Sequence, residues 1–489
     1  MPIFSVFIFC LLCCVVFWGN NKITIKFYNI FIIDCIVKIL FLQGYFLKIG
    51  SQEISTPGTI CDMVLFIFSI IIIVREKRFF YNQVFLLGVL FIAVSLFSIF
   101  FELVFPYDGL LLPIQDAQEN WDLYVMGQCA MYQYIPSIVD YSSSFGKLLL
   151  FVVIVIAFKM SFSMELFITS YMKIVKYVKY LIVYGWIEFF LKNIIGNLTF
   201  TYDLSAIMFG VNEMSLVTEA SSRSGIFYSL QGFCKEPSHF NVAIFTIVML
   251  MILGNFISRS VIKRNICISC KKTYNHQFIV LGVILLLFTG GFSGVWLLFV
   301  LMLSTLILKL TEANLSMKKI IFRNYKIIIF MFLGSFLLYA CVISNDYFGG
   351  RIEDVVTVLI SLVTNTINYS GLIRDGSSGI VSTLARFTSL YEGFYIFLDR
   401  PILGLGYKLQ SVHGDTMSYL INMGLLGTLL FYKLLISSTK NFSYNKALLA
   451  VLFVLGGLPM IISAYGLCAY WLLFIEGSMI LNNSENSID

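Results

Sequence analysis

Long apolar runs, separated by shorter polar connections, set the pattern of this chain. A helix that crosses a bilayer needs about 20 apolar residues. Runs of roughly that length lie at 3–18, 25–47, 59–74, 84–105, 146–163, 176–195, 238–257, 278–289, 291–309, 327–343, 416–433, 447–462 and 465–481. The pattern predicts an all-α, polytopic integral membrane protein of about 13 transmembrane helices. Residues 1–489 are expected to form a single membrane domain. The run at 278–289 is short, and Gly290-Gly291 reads as a tight turn within a hairpin. Residues 1–18 lack a basic leading region and a small-residue cleavage site, so they read as a retained span and not as a signal peptide. The longest connection is 344–415, between the tenth and eleventh spans.

Composition narrows the class. The chain is 59% hydrophobic and only 12% charged, with a mean hydropathy of +0.89. Those values exclude a soluble domain of this length. Phe (48) and Tyr (27) are abundant, as lipid-facing and interfacial positions require. The net charge of +6 is not a nucleic-acid signal, because the basic residues follow the topology. The 11 cysteines lie mostly in apolar runs, where Cys acts as a small hydrophobe. Cys267 and Cys270 form one CxxC in a basic loop, which without a second pair is a weak zinc signal. Cys129 and Cys234 both fall in outer loops, where they can pair or stay free.

Lysine and arginine set the orientation. One set of alternate connections carries most of them, including Arg75, Lys77 and Arg78; Lys173 and Lys176; Lys271 and Lys272; Lys318, Lys319 and Arg323; and Lys433 and Lys440. That side is read as cytoplasmic, which places 344–415 outside as a large periplasmic loop. Arg351, Arg374, Arg386, Arg400 and Lys408 persist in that loop against the bias. Something on that face wants cations. Inside the second run, Asp34 and Lys38 stand four apart on one helical face and are expected to pair within the bundle.

Two outer stretches carry candidate chemistry. The first is Arg223, Lys235, Glu236 and His239, around the run GFCKEPSHF. Pro237 suits the first turn of the seventh span, so Glu236 stands at the positive end of a helix dipole and His239 in its first turn. A simple cap is the plainer reading of that carboxylate. The second runs from Arg386 through Arg400 and His413 to Asp415, with Gly424 and Gly427 one turn apart on one face of the next span. Solvated loop arginines are the plainer reading there. Only three histidines exist in the chain, and His239 and His413 both begin spans on the same side. Arginine grips phosphate oxygens in pairs, and a neutral His can take a proton at physiological pH.

These residues carry a resemblance. His413-Gly414, followed by Gly424-Leu425-Leu426-Gly427, is similar to the His-x(10)-GxxG pattern of bacterial O-antigen ligases and polymerases. Arg386 and the stretch Arg400-Pro401-Ile402-Leu403-Gly404-Leu405-Gly406 resemble that superfamily's P-x-x-G-x-G turn. Glu236-Pro237-Ser238, with Arg223 upstream, resembles the Glu-Pro-Ser motif of many O-antigen polymerases. The resemblance spans roughly 220–435 and implies a GT-C-like membrane glycosyltransferase in the bacterial inner (cytoplasmic) membrane, its active site facing the periplasm. It implies transfer of a growing glycan from undecaprenyl pyrophosphate onto a lipid-linked repeat unit. His413, Glu236 and Arg386 are then the expected catalytic residues. Arg223, Arg374, Arg351 and His239 are the expected substrate-binding residues. The implied partners are undecaprenyl-pyrophosphate-linked oligosaccharides, membrane lipid and a chain-length regulator protein, with no nucleic acid, no cofactor and no metal. An O-antigen ligase, transferring glycan to lipid A-core, uses the same donor. A flippase or other transporter is the alternative from another class, but its polar groups belong deep in the spans, whereas here they gather at the outer ends.

Overall fold

The computed structural model describes residues 3–19, 22–40, 47–49, 52–76, 82–112, 121, 123–197, 228–234, 237–262, 276–289, 294, 297–298, 300–303, 305, 360, 378–407, 409, 412 and 415–436. These residues are mostly helical. Among them, four helices are long and apolar enough to cross a membrane: Pro57–Arg75, Gln83–Val104, Ile138–Met160 and Thr416–Leu435. That is the all-α membrane class the hydropathy predicts. The expected spans at 327–343, 447–462 and 465–481, most of 291–309, and the CxxC at Cys267 and Cys270 lie outside the described residues.

In chain order the helices are α1 (Ile3–Cys13), α2 (Ile23–Ile39), α3 (Pro57–Arg75), α4 (Gln83–Val104), α5 (Ile138–Met160), α6 (Met164–Val178), α7 (Tyr180–Phe190), α8 (Pro237–Ile262), α9 (His276–Phe288), α10 (Ser378–Asp399) and α11 (Asp415–Ile436). α1 and α7 run on into π-helical turns at Cys14–Trp18 and Leu191–Ile195. Two small antiparallel hairpins pair β1 (Leu47–Ile49) with β2 (Gln52–Ser55), and β3 (Leu110–Leu111) with β4 (Tyr132–Gln133). The helix starts are local. Thr56 Oγ1 accepts from the Thr59 amide with Pro57 in the first turn, and Asn82 Oδ1 accepts from the Val84 amide. At α5 the Asp140 carboxylate reaches back to the Ser137 amide at 2.7 Å.

Three boundaries differ from the hydropathy reading. The second run, 25–47, ends as a helix at Ile39, and its last residue starts a hairpin. The connection before 176 contains α6, an amphipathic helix that buries Ile174, Val175 and Val178 and exposes Lys173 and Lys176. The large loop contains α10, a 22-residue helix. Neither α6 nor α10 is among the four candidate spans.

α3 packs on α2 and α5, and α4 packs on α5 and α11. In a bilayer this contact is held by van der Waals fit and hydrogen bonds, since lipid is as apolar as the side chains. Phe158 is ringed by Phe27, Tyr28 and Phe31, the last at 4.8 Å between centroids. Phe431 is ringed by Phe91, Phe151 and Tyr419. Gly88 on α4 lets the Ile156 side chain of α5 approach to where a Cβ would stand.

Side-chain ties fix the relative directions. Lys159, buried at the end of α5, donates to the Leu434 and Leu435 carbonyls at the end of α11 (2.6 and 2.8 Å). A cation thus meets the negative end of a helix dipole. At the opposite end, Tyr141 Oη on α5 donates to the Leu405 carbonyl, in the turn whose Pro401 and Ile402 carbonyls accept from the Leu425 and Leu426 amides. α5 and the second half of α11 (425–436) therefore run the same way and α4 runs against them, since Ser98 near its end meets Leu403; the first half of α11 folds back beside the second, with the Thr416 and Tyr432 hydroxyls 2.7 Å apart. The end where 105–107, 137–141 and 399–407 gather is called the mouth here. It is the end that the charge pattern reads as outer.

Candidate functional site

The mouth is built around a broken helix. Within α11 the backbone leaves the helical region at Gly424 (φ 61°, ψ −174°). A break inside a membrane helix exposes backbone groups that lipid cannot satisfy. The turn after α10 supplies the partners. The Pro401 and Ile402 carbonyls accept from the Leu425 and Leu426 amides (2.8 and 3.2 Å), and the Leu405 amide donates to the Ile421 carbonyl at 2.9 Å. Two glycines make this approach possible. A Cβ on Gly404 (φ 68°) would stand 2.5 Å from the Ile421 oxygen, and a Cβ on Gly424 would stand 2.2 Å from the Ile402 oxygen. The one-face reading of Gly424 and Gly427 therefore fails, because the helix is interrupted at the first of them. The glycine pattern serves an interlock between the turn and the helix.

The same turn anchors α10 to α4. The Arg400 guanidinium donates to the Phe105 and Pro106 carbonyls (2.9 and 3.3 Å) and lies over the Phe101 ring. Tyr107 Oη donates to Asp399 at 2.9 Å, while its amide donates to the buried Glu102 carboxylate at 2.6 Å. Burial first, and the Asp399 carboxylate second, push the Tyr107 phenol above its ordinary range. It stays a protonated donor.

A second structure reaches toward the GFCKEPSHF run. Residues 228–234 are non-helical, and Ser229, Leu230, Gln231 and Cys234 are buried. Such backbone is tolerated at depth only when protein satisfies it. The carboxylate of Glu188, on α7, accepts from the Gln231 amide (3.1 Å) with one oxygen and from the Gly232 amide (2.8 Å) with the other. Lys192 lies 2.7 Å from Glu188, and both side chains are at most 1% exposed. Lys192 also donates to the Ser229 carbonyl, and Asn193 Oδ1 accepts from the Tyr228 amide. The Tyr184 and Phe233 rings stack at 4.1 Å. Cys234 and Cys129 are both free thiols, and burial, with Glu188 adding, pushes Cys234 up.

Of the expected site residues, Arg386 is described in full. It sits half-buried on α10, where its carbonyl accepts from Ser389 Oγ at 2.8 Å. Two turns further along the same face, a Cβ on Gly393 would meet Ile421 at 2.6 Å and Val412 at 3.3 Å. Arg386 thus shares the face of α10 that packs against α11 and Val412, about 10 Å along the axis from that contact. The backbone of His239 lies in the first turn of α8, as expected from Pro237. Its side chain, and His413, Glu236, Arg223, Arg374 and Arg351, lie outside the described residues.

Several buried polar groups escaped the sequence reading. The Asp34–Lys38 pair is formed at 2.8 Å, but Lys38 also reaches Asp62 on α3 at 2.5 Å. Glu188 and Lys192 have the same four-residue spacing inside an apolar run as Asp34 and Lys38, so the same signal finds them. Among the described residues no group of three or more His, Cys, Asp or Glu stands together as a metal site.

The described helices define an all-α membrane protein in which Glu102, Asp399 and Arg400 gather at one end of the packed helices. No protein-family model matches the chain, and no curated protein and no solved structure is similar to it.

Proposed function

We propose that this chain is a membrane glycosyltransferase of the O-antigen polymerase type, acting in the bacterial inner membrane with its site at the periplasmic face. The observation that carries the reading is the interlock. The turn Arg400–Gly406 and the glycine pair at Gly424 and Gly427, two motifs behind the resemblance, meet through backbone hydrogen bonds. They form one unit at the end of α10, the helix that carries Arg386 roughly 20 Å further along its axis.

The reaction transfers a growing glycan from undecaprenyl pyrophosphate to the terminal hydroxyl of a lipid-linked repeat unit. The glycosidic C–O bond forms as the C–O bond to pyrophosphate breaks, and the lipid pyrophosphate leaves with the electron pair. Arg386, supported by Arg223 and Arg374, stabilises that charge, with Arg351 a weaker contributor. His413 or Glu236 takes the acceptor proton, and His239 helps to hold substrate. Membrane lipid carries both substrates. A chain-length regulator protein is the proposed protein partner.

Cells deleted for this gene test the reading. Single repeat units on lipid A-core are the expected surface product, because export and ligation continue. Complete loss of surface sugar, with free lipid-linked units accumulating, points instead to a ligase or a flippase.

A further inference from the structure

α10 has a second inner face that the proposed chemistry does not use. Thr388 and Glu392 are one turn apart and share it. Thr388 is fully buried, and its hydroxyl has no hydrogen-bond partner among the described residues. Native buried hydroxyls are rarely left so. Glu392, half-buried beside it, has no hydrogen bond or ion pair among the described residues. Glu392 lies near Tyr124. The Tyr124 phenol is close enough to Glu392 to be pushed up by its carboxylate, after burial, and Tyr124 meets the buried Trp121 edge-on at 5.9 Å between centroids.

We propose that Thr388 and Glu392 form a sugar-hydroxyl binding site, walled by Tyr124 and Trp121, that seats the acceptor sugar; this rests on the glycosyltransferase reading. The donor and acceptor inventory selects the ligand. A carboxylate accepts hydrogen bonds and a hydroxyl both donates and accepts, which matches adjacent hydroxyls of a sugar ring. An aromatic wall matches the ring's apolar face, the usual combination in small-molecule sites. Burial holds the Glu392 carboxyl above its ordinary value, as expected for a group with no cation beside it among the described residues. Among the described residues this face offers an anionic ligand such as pyrophosphate no cation, and such a ligand belongs with Arg386, on the other.

The test uses purified full-length protein in detergent. The probe is the repeat-unit oligosaccharide released from the source cell's own polysaccharide, with binding read by tryptophan fluorescence and by calorimetry. Thr388→Val keeps the side chain's shape and removes an unsatisfied hydroxyl. It should leave the unfolding temperature unchanged or raise it, yet weaken binding about 5-fold. Glu392→Gln should weaken it about 10-fold or more. In the polymerisation assay both variants should raise the acceptor KM and leave kcat near wild type. Unchanged binding in both stable variants overturns the site, even where the wild type polymerises. Binding that depends on both residues without polymerisation keeps the site and overturns the polymerase reading. An absence of binding by the wild type overturns the site.

Discussion

Replacing Gly404 with alanine should cost far more than the same change at Gly127, although the two glycines have nearly the same backbone. Gly404 has φ 68° and Gly127 has φ 70°. A left-handed conformation costs an alanine roughly 1–2 kcal/mol at either place. The surroundings differ. A Cβ at Gly127 meets nothing within 4 Å, whereas one at Gly404 would stand 2.5 to 2.6 Å from the Ile421 oxygen, the Asn422 carbon and the Gly424 nitrogen. Those are backbone atoms of a neighbouring helix and cannot rotate away. Forcing them apart adds about 1–3 kcal/mol and breaks the hydrogen bonds that close the gap in α11. Gly404→Ala is therefore expected to lose roughly 2–5 kcal/mol in all. Gly424→Ala should behave alike, and the double variant should cost less than the sum because both open one lock. Thermal unfolding in one detergent, followed by exposure of buried thiols, measures the ranking. Equal shifts for Gly404→Ala and Gly127→Ala would refute the interlock.

Three other outcomes follow from the buried polar groups. Glu188→Gln leaves the buried Lys192 without its carboxylate and should destabilise by about 3–5 kcal/mol, much of it recovered by adding Lys192→Met; no recovery in the double variant counts against the pair. With single cysteines returned to a cysteine-free chain, Cys129 should react with maleimide at pH 7 in the native protein and Cys234 only after denaturation; rapid native labelling of Cys234 contradicts its burial. For Glu392, a carboxyl raised above the ordinary 4.5 by burial stabilises the fold fully below that pH, and the contribution is lost as pH rises through its folded value. Glu392→Gln should flatten that decline in unfolding temperature, and an unchanged pH profile argues against a desolvated carboxyl.

How much of this was legible depends on whether partners were near in sequence. Asp34 and Lys38 are four residues apart and could be paired on a helix. Asp62 is 24 residues from Lys38 on another helix, so nothing local announces it. The glycines at 404, 406 and 424 were visible as a pattern, but their purpose was not. An uninterrupted apolar run around Gly424 reads as a continuous helix, and only the turn from 400–406 explains the break. α10 was hidden differently. Its sequence mixes Arg386, Glu392 and Asp399 with aromatics, too polar for a span and too long for an ordinary connection. α6 was missed because its lysines read as a cytoplasmic connection and its apolar stripe is narrow.

The central proposal is that Arg386 serves a leaving pyrophosphate. Its most direct test is polymerisation by purified protein in proteoliposomes supplied with undecaprenyl-pyrophosphate-linked repeat units, reading polymer and released lipid pyrophosphate together. Arg386→Ala, at equal protein level and unchanged unfolding temperature, should lower the rate by about 10²- to 10³-fold. Arg386→Lys should restore only part of it, because an ammonium cannot hold two phosphate oxygens in one plane. Wild-type rates from a well-folded Arg386→Ala variant would contradict the account.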